Sequence, residues 1–296
     1  MSIPFSIVIL TKDRPKLLRR AVRSALLNLT KSGELIVIDD HSANPASDSL
    51  SDFADDRLRV VRLPLGEAGV AAARNAGLAH ACGDIIFYLD DDDMLEAGYC
   101  NYVLSNALDH CDYGFAAYYQ VNMDGEIKPR VRFEDGPIPD GAPLHKKICG
   151  FGMGFWIKSR IANEVGLVST DLSINEDTDY VCRLITAGKR AWYTAKPSVS
   201  VYAAHDIATD VTNMTKTTTP IERARCMRIV CDRFPNMIGH LGASYIRHCA
   251  KNGAVAEAYG FIQEQSGWRI RSQLAWLLII KLAVYRVTHR PQLKLT

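Results

Sequence analysis

The chain has 296 residues, 48% of them apolar and 23% charged, which suits a folded protein with one large domain or a domain plus an extension. The net charge of +2 is unevenly placed: positions 216–296 hold 13 Lys/Arg against 4 Asp/Glu, and the rest of the chain is net −7. Eight cysteines form no C-x-x-C pair and show no zinc spacing, so they read as small buried groups in a reducing compartment. There is no run of 18 apolar residues, no internal repeat and no secretory leader pattern, so a cytoplasmic location is expected.

Phe5 to Leu10 is an apolar, β-branched run that reads as a first strand, followed by the loop Thr11-Lys12-Asp13-Arg14-Pro15 with Pro15 at a helix start. Leu17, Leu18, Ala21, Val22, Ala25, Leu26 and Leu29 then recur at helical spacing. A second buried strand, Leu35 to Ile38, ends in Asp39-Asp40. Pro45 to Phe53 reads as a helix, Leu58 to Leu63 as a strand, and the glycine-led, Ala-rich stretch Gly66 to Ala81 as a helix. Alternation of this kind predicts a doubly wound, mostly parallel α/β sheet, a Rossmann-like arrangement. Neither G-x-G-x-x-G nor a Walker A lysine motif is present, which disfavours the common dinucleotide and P-loop sites.

The stretch Ile85 to Asp93 is the centre of the pattern: five apolar residues without alternation, then Asp90, Asp91, Asp92 and Asp93. Two carboxylates about 4 Å apart repel by roughly 4 kcal/mol at an effective dielectric near 20, so the cluster calls for a counter-ion, with a divalent cation the simplest choice. It also stands at a strand's carboxyl end, where open α/β sheets bind ligands. The competing reading makes Asp93 and Glu96 a capping box that starts a helix at Met94. Asp39 likewise has two readings, as a nucleotide contact or as a turn residue.

Further on, Tyr99 to Ala107 reads as a helix, Tyr113 to Val121 as a strand, and Met123-Asp124-Gly125 as a hairpin turn. Pro129 to Pro143 is expected to be a loop that covers a site. Gly150 to Trp156, GFGMGFW, is either a flexible aromatic approach to substrate or an ordinary glycine-containing strand. In Asn175-Glu176-Asp177-Thr178-Asp179 the residue Asp177 falls on the first turn of a helix whose face is Val181, Leu184 and Ile185 and whose stop is Gly188. An ionised carboxylate there serves as a general base or as a cap. From Ile221 the chain reads as helical. Within 267–290, the apolar run Leu274 to Val287 would rise about 21 Å as a helix, short of the roughly 30 Å hydrocarbon core. Flanked by Trp268, Arg269, Arg271, Arg286 and Arg290, it suits an anionic membrane surface, with burial on the protein's own core or in a homodimer as the alternatives.

Taken together, SIVILTKDRP, ELIVIDDHS, GVAAARNAGLAHACGDIIFYLDDDD and NEDTDYVCRLITAGKRAWY, in that order, resemble the inverting family 2 glycosyltransferases of the GT-A fold over about residues 4–215. The resemblance implies a GT-A domain at 1–215, divided into a nucleotide-binding half (1–95) and an acceptor half (96–215), followed by a helical basic extension at 216–296. It implies a nucleotide-sugar donor, with UDP as the expected nucleotide, a glycan or lipid-linked hydroxyl acceptor, and Mn²⁺ or Mg²⁺ as cofactor. Residue by residue, it places Thr11 and Asp13 in the base pocket, Asp39 on the base and Arg74 on the nucleotide. Asp90 falls near the ribose and Asp92 on the metal, with Asp91 or Asp93 able to share either task. Asp177 matches the general base, with Glu176 beside it facing the acceptor. His205 matches a later histidine that reaches the metal or diphosphate, although Ala203 and Ala204 stand where basic residues are usual. A nucleotide-binding scaffold without turnover and a nucleotidyltransferase are the alternatives. Nucleic-acid binding is disfavoured, because the basic tail carries no recognisable module.

Overall fold

The computed structural model describes residues 4–30, 32–122, 124–202 and 218–288. The chain forms two compact units, one of residues 1–171 and 176–211 and one of residues 172–175 and 212–296.

In the first unit, β1 (Phe5–Thr11), α1 (Pro15–Asn28), β2 (Glu34–Asp39), α2 (Ala46–Ser49), β3 (Leu58–Arg62), α3 (Val70–His80) and β4 (Ile85–Asp90) follow one another. Their strands lie parallel in the order β3-β2-β1-β4. The apolar runs of β1, β2 and β4 do not alternate because both sheet faces are covered. Phe5, Ile7 and Ile9 pack with Leu18, Ala21, Val22 and Ala25 of α1 in one core, while Val8, Ile36 and Ile38 pack with Ala71, Ala72 and Ala73 of α3 in the other. Register decides what these strands present at their ends. Thr11 pairs with Asp39 and Leu10 with Asp90, so three neighbouring strands deliver the polar residues at their carboxyl ends to one end of the sheet.

The sheet continues through β5 (Met94–Leu95), α4 (Tyr99–Asn106), β6 (Tyr113–Val121), β7 (Ile127–Arg130), β8 (Gly136–Pro137), α5 (Leu144–Lys147), β9 (Trp156–Lys158), α6 (Ser159–Val165), α7 (Glu176–Thr186) and β10 (Ala191–Tyr202). β9 runs antiparallel to both β4 and β6, whereas β6 and β10 are parallel. Four expectations are corrected here. No helix starts at Met94: Met94 and Leu95 pair with Ser200 and Val199, and Glu96 accepts from Ser200 Oγ at 2.6 Å, so cross-strand bonds replace the capping box. The helix begins instead at Tyr99, after Gly98 at φ 85°. The helix expected over Pro45 to Phe53 is reduced to the single turn of α2. Within Pro129 to Pro143 lie the end of β7 and all of β8. The segment GFGMGFW is no flexible approach: Phe151, Phe155 and Trp156 are buried, and the Phe151 and Phe155 rings stack at 4.3 Å between centroids.

The second unit is helical, with α8 (Pro220–Arg233), a short 3₁₀ turn, α9 (Ile238–Asn252), α10 (Val255–Glu264) and α11 (Trp268–Thr288). Thr219 caps α8 by accepting from the Glu222 N–H at 3.2 Å, and Gly253 at φ 69° ends α9 in the left-handed conformation glycine favours. Leu274 and Leu278 of α11 are buried, and a side chain on Gly242 of α9 would press on Leu274 and Phe261. No described helix is long and apolar enough to cross a membrane. All eight cysteines are free thiols, and only Cys82 is exposed, in keeping with their reading as small core groups.

Candidate active site

The site is built at the carboxyl ends of β1, β2 and β4, joined by the first turn of α7. On β2 the two acids have different work. Asp39 is buried and both its oxygens accept backbone N–H groups, from Ser42 at 2.8 Å and Ala46 at 3.1 Å, so it holds the following loop in place. Asp40 Oδ2 accepts from Lys12 Nζ at 3.3 Å and from the Gly69 N–H at 3.1 Å, while its buried Oδ1 has no partner among the described residues. An acceptor left buried and unbonded costs free energy, and a ligand N–H would remove that cost. Asp13, at φ 54°, is exposed and braces the same loop: its N–H donates to Ser42 Oγ and its Oδ1 accepts from the Ala43 N–H at 2.6 Å.

Asp90 to Asp93 point in different directions, which a run of four identical letters hides. Asp91 is buried, accepting from Thr11 Oγ1 at 2.7 Å and from Arg14 at 2.9 Å. Burial pushes its carboxyl up to about 7; Arg14 opposes this and Asp92 adds to it. Asp90, Asp92 and Asp93 each offer an oxygen, all within 4.8 Å of one another. Burial and the neighbouring Asp90 raise Asp92, and burial with Asp92 and Asp90 raises Asp93 well above the carboxylate range. Arg14 also reaches Asp92 at 3.3 Å, and Arg20 donates to the Asp92 carbonyl at 2.5 Å while lying over the Tyr202 ring. The Tyr202 N–H donates in turn to Asp93.

Arg74 comes up from α3 beneath this cluster. It is buried, bonded to Glu176 at 2.5 Å, 3.7 Å from Asp90, and stacked over the Phe151 ring at 4.4 Å. Glu176, also buried, is pushed up to about 7 by burial against the opposing pull of Arg74. The next residue, Asp177, has Oδ1 accepting from the Thr178 N–H at 2.6 Å. Its Oδ2 lies against Gly150, where an added Cβ would stand 3.1 Å away. The structure therefore brings Thr11, Asp39, Arg74, Asp90, Asp91, Asp92, Glu176 and Asp177 to one region with Asp13 at the rim, whereas His205 lies outside the described residues. Arg14, Asp40 and Asp93 join them. Of these, Arg14 was signalled only by its place in TKDRP, and the open oxygen of Asp40 by nothing local.

Residues 6–165 match the family model described as Glycosyl transferase family 2, more than half of the chain. The chain belongs to glycosyl transferase family 2. It is 26% identical over 168 residues to the GalNAc(5)-diNAcBac-PP-undecaprenol beta-1,3-glucosyltransferase of Campylobacter jejuni, covering 54% of this chain and 53% of that one. It is 27% identical over 137 residues to the poly(ribitol-phosphate) beta-N-acetylglucosaminyltransferase TarP of Staphylococcus aureus, covering 45% and 42%. The chain spans about half, or less, of the length of the curated relatives it matches. In three dimensions it resembles residues 1–349 of S. aureus TarS, solved in complex with UDP-GlcNAc, with a TM-score of 0.72 at 15% identity over 97% of this chain and 93% of that one. At that identity the likeness is one of fold, and the fold is GT-A.

The Arg74–Glu176 pair gives a direct test of the site's architecture. Removing one partner of a buried pair costs about 3–5 kcal/mol. Arg74→Met is expected to lose about that much unfolding free energy in urea at pH 8. The loss shrinks at pH 5, because Glu176, raised to about 7, is then protonated in the parent as well and Arg74 has no charged partner in Glu176 to lose.

Proposed function

We propose that the chain is a glycosyltransferase that moves a sugar from a nucleoside diphosphate donor, UDP first among the candidates, to a hydroxyl of a bacterial-type glycan or lipid-linked acceptor, inverting the anomeric carbon. One observation carries the reading: Asp90 and Asp93, two members of the oxygen triad that Asp92 completes, and the carboxylate of Asp177 border the same short segment, 150–152. The donor class is supported by the UDP-GlcNAc bound to TarS, and the acceptor class by the glycan and undecaprenol-linked substrates in the relatives' names.

The triad suits Mn²⁺ or Mg²⁺, since it offers three hard carboxylate oxygens close together, and burial with the neighbouring carboxylates raises two of the groups, Asp92 and Asp93, which a bound cation would let ionise. Asp90, Asp92 and Asp93 would hold the ion, with His205 as a further ligand in this proposal; when bound, such an ion neutralises charge on a departing diphosphate. The chain's own groups do the rest. Asp40 Oδ1 accepts an N–H of the base, a task that passes to it because both oxygens of Asp39 are spent on the loop. Thr11 and Arg14 fix Asp91, and Arg74 fixes Glu176 at the helix start. Asp177 Oδ2 takes the acceptor's proton as the acceptor oxygen bonds to the anomeric carbon and the bond to the diphosphate breaks on the opposite face, the electron pair leaving with the diphosphate. One such displacement inverts the centre. General-base help of this kind is worth about 10²- to 10⁴-fold.

The partner surface belongs to the same proposal. Helix α11 buries Leu274 and Leu278 but exposes Trp276 (66%), Ile279 (58%) and Ile280 (41%), with Trp268, Arg269 and Arg271 exposed at its start. An apolar stripe beside cations matches an anionic cytoplasmic membrane surface, where lipid-linked acceptors reside.

Three measurements check these statements. In a panel of nucleotide sugars with Mn²⁺, one donor is expected to release nucleoside diphosphate. Asp177→Asn should lower that turnover by about 10²- to 10⁴-fold while UDP still binds, and Asp92→Ala should remove the metal dependence. Nucleotide binding with no turnover on any donor would favour the scaffold reading. Asp91 and Glu176, with pKa values near 7 in the fold, resist ionisation, so without metal their contribution favours the fold below about pH 4 and is lost as pH rises through 7. Mn²⁺ binds the ionised triad, so the rise in melting temperature it produces should be larger at pH 8 than at pH 5; an equal rise at both would count against the site. Finally, the protein should sediment with vesicles containing anionic lipid and not with neutral ones, and Ile279→Glu should abolish this. A concentration-dependent dimer sensitive to the same substitution would point to a second copy instead.

A further inference from the structure

We infer that Gly150 and Gly152 are positioning residues: each forgoes a side chain so that one carboxylate, Asp177 from α7 and Asp90 from β4, rests directly on the backbone of one short rigid segment, which sets the spacing between them. The inference deepens the proposed function and rests on the roles given there to Asp90 and Asp177.

A Cβ on Gly152 would stand 2.5 Å from Asp90 Oδ2 and 3.3 Å from Asp93 Oδ2, and one on Gly150 would stand 3.1 Å from Asp177 Oδ2. Neither glycine has a positive φ, unlike Gly154 at φ 65°, so an alanine is allowed by the backbone at both positions. Glycine is needed there for space alone. Two residues of extended chain span at most about 7 Å, so the backbone points facing the two carboxylates are no further apart than that.

The segment cannot retreat to make room. Phe151, between the two glycines, packs on Tyr88 of β4 at 5.0 Å, on Tyr180 of α7 at 5.6 Å and beneath Arg74 of α3. On its far side the Phe155 carbonyl accepts from the Tyr88 N–H and the Met153 carbonyl from the Ala116 N–H, each at 2.9 Å, tying the segment to β4 and β6. Tyr88 and Tyr180 belong to the elements that carry Asp90 and Asp177. One aromatic ring thus holds the donor-side strand, the base-bearing helix and the glycine segment in register. A side chain added at either glycine meets the far end of an aspartate, so the aspartate moves and the fold stays.

The test compares Gly150→Ala, Gly152→Ala, Asp92→Ala and Asp177→Asn in the full chain, reading Mn²⁺-dependent UDP binding, turnover of the donor found in the panel, melting temperature and a crystal structure. Gly152→Ala should weaken Mn²⁺-dependent UDP binding at least tenfold. Gly150→Ala should leave UDP binding within twofold and lower kcat at least tenfold with the donor KM unchanged. Both should melt within a few degrees of the parent. If Asp92→Ala and Asp177→Asn act as expected and the glycine variants do not, the inference fails and the reading stands. If those two carboxylate variants change nothing, the reading fails, and the crystal structures still decide the inference: Asp90 and Asp177 displaced supports it, and both in place overturns it. Equal loss of binding and turnover in both glycine variants, with lowered melting, also overturns it. Should Gly152→Ala not fold, the double variant with Asp90→Ala must fold, since the obstructing carboxylate is gone; a double variant that also fails to fold overturns the inference.

Discussion

Repulsion among carboxylates gathered at one end of the sheet is the constraint around which the first unit is arranged. Parallel pairing with the observed register leaves β1, β2 and β4 no choice about where their terminal polar residues go. Asp39, Asp40 and the run from Asp90 to Asp93 consequently share one end. Such a gathering is tolerable only where each charge finds a partner or gives way to protonation. The chain does both. Arg14 at the start of α1 and Arg74 in α3 enter from the helices that flank the sheet and pair with Asp91 and Glu176, yet burial still raises these carboxyls, and Asp93 with them.

From this follows a division of labour among residues of the same chemical type. Asp39 and Asp91 have their oxygens committed to backbone N–H groups, Thr11 and Arg14, and so hold loops and strand ends in place. Asp40 keeps an open oxygen, the triad of Asp90, Asp92 and Asp93 converges, and Asp177 turns one oxygen toward Gly150. In the proposed reaction chemistry falls to the second group, whose geometry the first holds in place, which is what pre-organised electrostatics requires. The buried stack of Phe151 on Phe155 serves the same end, converting a glycine-rich stretch into a fixed wall.

The second unit answers to different physics. Its helices bury one face each, through Cys226, Met227, Val230, Tyr245, Ile246, Phe261 and Leu274, yet α11 still presents large apolar side chains to solvent. Positive charge is concentrated in this part of the sequence, against an acidic remainder.

Local sequence by itself determined the elements whose residues repeat at a fixed period or run unbroken: the buried strands, the stripe of α1, the helix after Glu176 and the family resemblance that their order carries. Those are short-range properties, set by burial patterns and caps that a few neighbouring residues define. It could not determine what happens where the competing partner lies far along the chain. Glu96 is drawn to Ser200 rather than to a cap at Asp93, and the aromatics of GFGMGFW are drawn into the core between β4 and α7. Nor could it tell four aspartates apart. Asp91 is turned inward by Arg14 and Thr11, some eighty positions away, both donors to Asp40 fall on Oδ2 and leave its Oδ1 open among the described residues, and Asp90 is given its room by the missing side chain of Gly152. Each of those outcomes is a long-range choice between hydrogen-bond partners or a matter of space between backbones, and only the folded chain makes it.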